Sequence, residues 1–190
     1  MPPRQITDPE LEQIIAEVIS HAHHREETYL PRSVPLTPAQ KEALRPYFSR
    51  ELLDRVRVLE LENERVANPG YYARAEKRGY KLMLNFTHKA VIAHPQLLIF
   101  QDKLSLRLLF HGLVHVAQYS ALGRERYLGL YVRAFIHTGS YTSVPLEMQA
   151  FQLDNRYTED PGAPFSVEDE VRKWSQAENY ALHQKATRTG

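Results

Sequence analysis

The apolar residues Leu11, Ile14, Ile15, Val18 and Ile19 keep the three-and-four spacing of one helical face. Asp8, Pro9 and Glu10 precede them as a cap, a first-turn proline and an acid at the positive end of the helix dipole. This pattern predicts a helix from about residue 9 to about residue 28, with Pro31 and Pro35 breaking the chain after it. Thr37-Pro38-Ala39-Gln40 reads as a capping box that opens a short second helix. Ser49 reads as the cap of a further turn around Leu52 and Leu53. The period then falls to two, and Val56-Arg57-Val58-Leu59-Glu60-Leu61 alternates as a strand does. Asn68-Pro69-Gly70 is turn chemistry. Two more extended runs, His88 to Ala93 and Gln96 to Phe100, flank His94-Pro95 and suggest a hairpin.

From Lys103 to Leu122 the helical period returns in a very apolar run, with Leu104, Leu108, His111, His115, Gln118 and Leu122 along one stripe. Gly123 is placed to stop that helix, and Gly139 to stop the next, from Arg124 to Thr138. Pro145 opens another helix through about Tyr157. Pro161-Gly162-Ala163-Pro164 is a linker, and Ser166 caps a last helix that carries Trp174. The sum is an α+β class: mostly helical, with a small sheet between about residues 56 and 100. The 190 residues read as a single domain: an N-terminal helical arm over 1–50, a core over 56–157, and a C-terminal helix and tail over 165–190.

Charge excludes some partners. Twenty-four basic residues against 23 acidic ones leave a formal charge of +1, so no net field points to nucleic acid or an anionic membrane. The basic group Arg74, Lys77, Arg78 and Lys81 lacks interleaved aromatics and reads as a solvated helix face. The start of the chain carries no apolar segment of the secretory type, and no run approaches a membrane span, so a cytoplasmic location is the expectation. Without cysteine there are no disulfides, thiolate metal sites or thiol nucleophiles.

His111 and His115, four apart in a predicted helix, present both imidazoles on one face where two ring nitrogens reach a single ion. Nine histidines in 190 residues give about 0.4 such pairs by chance, so the spacing needs its context. That context is apolar: Leu108-Leu109-Phe110 before, Leu113-Val114 between and Val116-Ala117 after. Two histidines buried there without partners would be costly, and a metal ion would satisfy both. Glu147, in the first turn of a later helix, completes a His₂Glu set of the kind catalytic zinc sites use.

Phe110-His111-Gly112-Leu113-Val114-His115-Val116-Ala117-Gln118-Tyr119, then Leu122-Gly123, Gly139-Ser140-Tyr141 and Val144-Pro145-Leu146-Glu147, resembles a family of small bacterial zincin-like proteins. In that family a metal helix beginning His-Glu-Leu-Val-His-Val is followed by a Pro-Leu-Glu helix. The broader kinship is with gluzincin metallopeptidases. The resemblance covers roughly residues 56 to 155. It implies a zincin-like core, with His111, His115 and Glu147 as ligands of zinc, iron being the alternative for two histidines and a carboxylate. The chain departs from the family at Gly112, where the family has the glutamate that serves as general base. Ordinary peptidase activity is therefore not expected. Either the protein is a metal-binding pseudo-peptidase, or the space beside the metal serves other chemistry on a small-molecule or peptide substrate. A relocated base, or a metal-free interaction protein, are the remaining readings.

Tyr141, Gln118 and Glu125 are the catalytic candidates, with Glu60 a more distant one. Gln118 reads as a group that contacts substrate or a ligand, or as a packed surface amide. Tyr141 reads as an oxyanion stabiliser or a core tyrosine. His137 is a fourth ligand or a helix-end residue complementing the dipole. His21, His23 and His24 read as a solvated helix end. His88 and His94, flanking a predicted strand, are placed to line a cleft.

Overall fold

Local capping sets most of the element boundaries. The structure is a computed structural model that describes residues 7–77 and 85–177. Helix α1 spans Asp8–Tyr29. Its cap is Thr7 rather than Asp8, because the Glu10 carboxylate accepts from the Thr7 backbone N–H at 3.1 Å and from its hydroxyl at 3.0 Å. The capping box at Thr37 opens α2, Pro38–Leu44, and Ser49 caps α3, Arg50–Arg55. Helix α4, Gly70–Lys77, follows the Asn68-Pro69 turn. The basic group at Arg74, Lys77, Arg78 and Lys81 lies outside the described residues and side chains. Helix α5 spans Leu106–Leu122 and starts three residues later than its periodicity suggests. Ser105 fixes that start by accepting from the Leu108 N–H at 3.1 Å, leaving Leu104 ahead of the cap. Gly123, at φ 77°, ends α5 and begins α6, Arg124–Thr138, which Gly139 closes in the left-handed region. Then come α7, Pro145–Glu159, and α8, Val167–Gln176.

Four strands form a mixed sheet in the order β1-β2-β4-β3. They are β1 Val34–Pro35, β2 Arg57–Glu60, β3 Val91–Ala93 and β4 Leu97–Phe100. The hairpin expected at His94-Pro95 is present as the antiparallel β3–β4 pair. Its first strand is shorter than the extended run, because Asn85 caps a 3-10 turn over Phe86–His88. The parallel β2–β4 pair carries no local signal, as parallel pairing needs a long crossover. Strand β4 is central and buried on both faces. Leu98 and Phe100 join the cluster beneath α5, while Leu97 and Ile99 pack with Leu61, Val66 and Ile92.

Every residue of α5 from Leu109 to Tyr119 is buried. A helix apolar on all sides belongs in a core, and α7, α8, α6 and β3 pack around this one. The N-terminal helical segment packs on the rest of the chain. Strand β1 extends the sheet, Leu44, Tyr47 and Phe48 enter the core below α5, and α1 lies on α6 with Ala22 beside Tyr119, Tyr127 and Leu128. No helix among the described residues is long and apolar enough to cross a membrane.

Candidate metal centre

One turn of α5 separates His111 from His115, and the first turn of α7 brings Glu147 against both. Pro145 at the start of α7 fixes the turn that aims this carboxylate. All three side chains are buried, at 6 %, 5 % and 3 % exposure. Among the described residues they form the one group of three such side chains whose ligand atoms could hold a metal ion. His115 Nε2 lies 3.3 Å from His111 Nε2 and 3.3 Å from Glu147 Oε2, and His111 Nε2 lies 3.6 Å from the same oxygen. A tetrahedral ion with bonds of about 2.0–2.1 Å needs ligand atoms about 3.3–3.4 Å apart. Glu147 Oε2, the oxygen in this triangle, has no hydrogen-bond donor. A buried carboxylate oxygen left so is an acceptor aimed at something it lacks.

The surrounding groups hold the three side chains in forms that could bind an ion. Gln118 is fully buried, and its amide nitrogen donates to the Leu146 carbonyl and to Gln149 Oε1, both at 2.9 Å. Its oxygen must therefore face His115 Nδ1, 2.8 Å away, and accept that N–H. This tautomer leaves the Nε2 lone pair free for an ion. The Tyr127 hydroxyl stands 3.2 Å from the same Nδ1. His111 Nδ1 is 4.0 Å from Asp154 Oδ2, and Asp154 is itself held by Arg107. Burial lowers the pKa of His111 and keeps the ring neutral. Burial raises the Glu147 carboxyl, but His115, His111 and Lys89 outweigh it and hold the group well below the usual carboxylate range. Glu147 is thus anionic.

The other oxygen of Glu147 faces the cavity. It accepts from the Tyr131 hydroxyl at 2.7 Å and lies 3.8 Å from Lys89 Nζ. The Lys89 ammonium rests over the Tyr141 ring, 2.8 Å from its centroid. Burial pulls Lys89 down to about 8, with Glu147 opposing the shift. Burial and the Glu147 charge push the Tyr141 and Tyr131 hydroxyls up, so both remain donors. The cavity holds about 120 Å³ between α5, α1, α6 and the β3–β4 hairpin.

The residues singled out in the sequence separate into two sets. His111, His115, Glu147, Tyr141 and His94 all line this cavity. Gln118 is neither a substrate contact nor a surface amide, because it lies behind His115 and fixes its tautomer. Glu125 and Glu60 are exposed and away from the cavity, Glu60 accepting from the Leu104 N–H at 3.3 Å. His88 and His137 are exposed, as are His23 and His24, whereas His21 is half-buried edge-on to Tyr71. Gly112 does not open space beside the metal ligands. A Cβ there would meet the Leu98 methyls at 3.0 and 3.1 Å and Val91 Cγ2 at 3.4 Å. The glycine lets α5 sit close against the hairpin.

Lys89, Tyr127 and Tyr131 escaped the sequence reading. The two tyrosines are four apart on α6, a spacing that could have flagged a shared face. Lys89 offered no such signal. No family model, curated protein or solved structure matches the chain.

Proposed function

We propose that this chain is a zincin-like metalloprotein in which His111, His115 and Glu147 hold one zinc ion, and that it is not an ordinary peptidase. The observation that carries the reading is the triangle of ligand atoms, with edges of 3.3, 3.3 and 3.6 Å around an otherwise undonated carboxylate oxygen. Two imidazoles and one carboxylate suit zinc, and iron is the next fit. Such an ion supplies Lewis acidity toward an oxygen atom in its open position. The protein's own groups do the rest. Gln118 fixes the His115 tautomer, and Tyr131 and Lys89 hold the second oxygen of Glu147 so that the first faces the ligand triangle.

A peptidase of the resembled kind takes a proton on a glutamate next to the first histidine. Here Gly112 has no carboxylate, and Leu98 fills the space one would need. The cavity volume of about 120 Å³ suits a small molecule rather than an extended peptide. Lys89 and Tyr141 are placed to donate to an oxygen-bearing substrate.

Metal content by elemental analysis, on protein purified without a metal-chelating tag, tests the reading. One equivalent of zinc per chain is expected, lost in Glu147→Ala, with no cleavage of casein by either protein. One equivalent of iron would replace the zinc assignment. Protein that takes up no metal, even after incubation with zinc, would overturn the metal reading altogether.

A further inference from the structure

The same cavity carries buried polar groups that the metal site does not use. Arg25, on α1, is 5 % exposed, and no carboxylate among the described residues pairs with it. The adjacent Glu26 is engaged by Arg124 and by the Gln96 backbone N–H at 3.2 Å. The Arg25 guanidinium stacks on Phe86, 4.0 Å from the ring centroid, and its Nε has no acceptor. His94, at the turn of the hairpin, is 1 % exposed, and both of its ring nitrogens lack a partner. Arg25 and His94 both line the cavity.

A buried guanidinium keeps its proton, and leaving it uncompensated is costly. Buried donors without acceptors are rare in native structures and call for an explanation. A planar anion supplies what is missing: its two oxygens match the guanidinium fork, and a neutral imidazole N–H adds a third donor. Val18, Phe86, Ile92 and Tyr119 make part of the wall apolar and aromatic, and the second cation, Lys89, stands beside Glu147. A cavity of about 150 Å³ takes benzene, so about 120 Å³ takes a smaller ligand, a carboxylate on a body of about three carbons. Tyr119 relates the two ends. Its hydroxyl, raised by burial, feels the charges of Arg124 and Arg25, and it sits one helical turn past His115.

We infer that this cavity binds a small monocarboxylate, its carboxylate held by Arg25 and His94 and its apolar body reaching toward His111, His115 and Glu147. The inference names a substrate class for the proposed metal site and rests on that reading only for the far end of the ligand.

Titration calorimetry with sodium butyrate tests it, on zinc-loaded and on chelator-treated protein. Saturable one-to-one binding is expected in both. Butyramide, of the same shape without the charge, should bind at least tenfold more weakly. Arg25→Met should weaken butyrate at least tenfold while keeping the far-ultraviolet circular dichroism of the parent protein. His94→Phe should weaken it in the same direction. Absence of butyrate binding to the zinc-loaded parent overturns the inference, as does parental affinity in both variants. Butyrate binding that vanishes on chelation and ignores Arg25→Met also overturns it, because the ion alone would then hold the carboxylate. Zinc uptake without butyrate binding ends this inference and leaves the metal site standing. Arg25-dependent butyrate binding without zinc uptake does the reverse.

Discussion

Gly112 shows how one residue can be read two ways. In the sequence it is a missing carboxylate beside a metal ligand. In the fold it is the contact that seats α5 on the hairpin, with Leu98 and Val91 filling the space a side chain would take. Glycine inside a helix costs about 1 kcal/mol relative to alanine, and here the close packing offsets that cost. Leu98 is fully buried and has nowhere to retreat. A glutamate at this position therefore has no room beside Leu98. Gly112→Glu is expected to destabilise the fold by about 1–3 kcal/mol in urea unfolding, the range for overpacked cores, and to leave casein uncut. Adding Leu98→Ala should make the pair less damaging than the two single changes summed, since residues in contact couple. Additive costs would mean that the Leu98 contact is not what excludes a side chain.

At the scale of elements, the centre depends on two helices meeting through one amide. Gln118 on α5 faces His115 on its own helix and spans to Leu146 and Gln149 on α7, the helix that carries Glu147. The relay thus fixes a tautomer and sets the spacing between the two elements that supply all the ligands. Gln118→Leu, similar in size but without polar atoms, should lower zinc affinity 10- to 100-fold, the usual effect of losing an outer-shell partner. Competition against a chromophoric chelator would measure it. Affinity unchanged from the parent would show that the Tyr127 hydroxyl, 3.2 Å from the same nitrogen, orients His115 by itself.

Across the whole molecule, what could be read from the sequence was local and what could not was tertiary. Gly123, Gly139 and Pro145 announce the ends of α5 and α6 and the start of α7 because caps act within one turn. The His111, His115 and Glu147 group follows from an i,i+4 spacing and a first-turn acid on those helices. Arg25 lies among His23, His24, Glu26 and Glu27 in a stretch that reads as solvated, and only the packing of α1 over the hairpin and α6 buries it. Lys89 follows a 3-10 turn whose fold-back no periodicity reports. The parallel β2–β4 pairing joins segments about forty residues apart, which no local rule reaches.

That same packing leaves a signature in the pH dependence of the whole fold. His94 is buried within the field of Arg25 of α1 and Arg124 of α6. Burial first, and those positive charges second, hold its pKa well below the ordinary 6.5. In the unfolded chain the ring regains that ordinary value. As pH falls through about 6.5 the unfolded form therefore takes up a proton that the native form refuses, and stability falls with it. The native state is at full strength above that pH and weakens below it. At one unit below, the loss from a single such ring is about 1.4 kcal/mol. Urea unfolding of metal-free protein at pH 7.5 and pH 5.5 isolates this contribution when set against His94→Phe, because every other titrating group is common to both proteins. The parent should lose about 1.4 kcal/mol more than the variant over that interval, whatever the variant's absolute stability. An equal loss in the two would mean that His94 takes up a proton in the native state despite its burial, and that a positive charge can be accommodated at the turn of the hairpin.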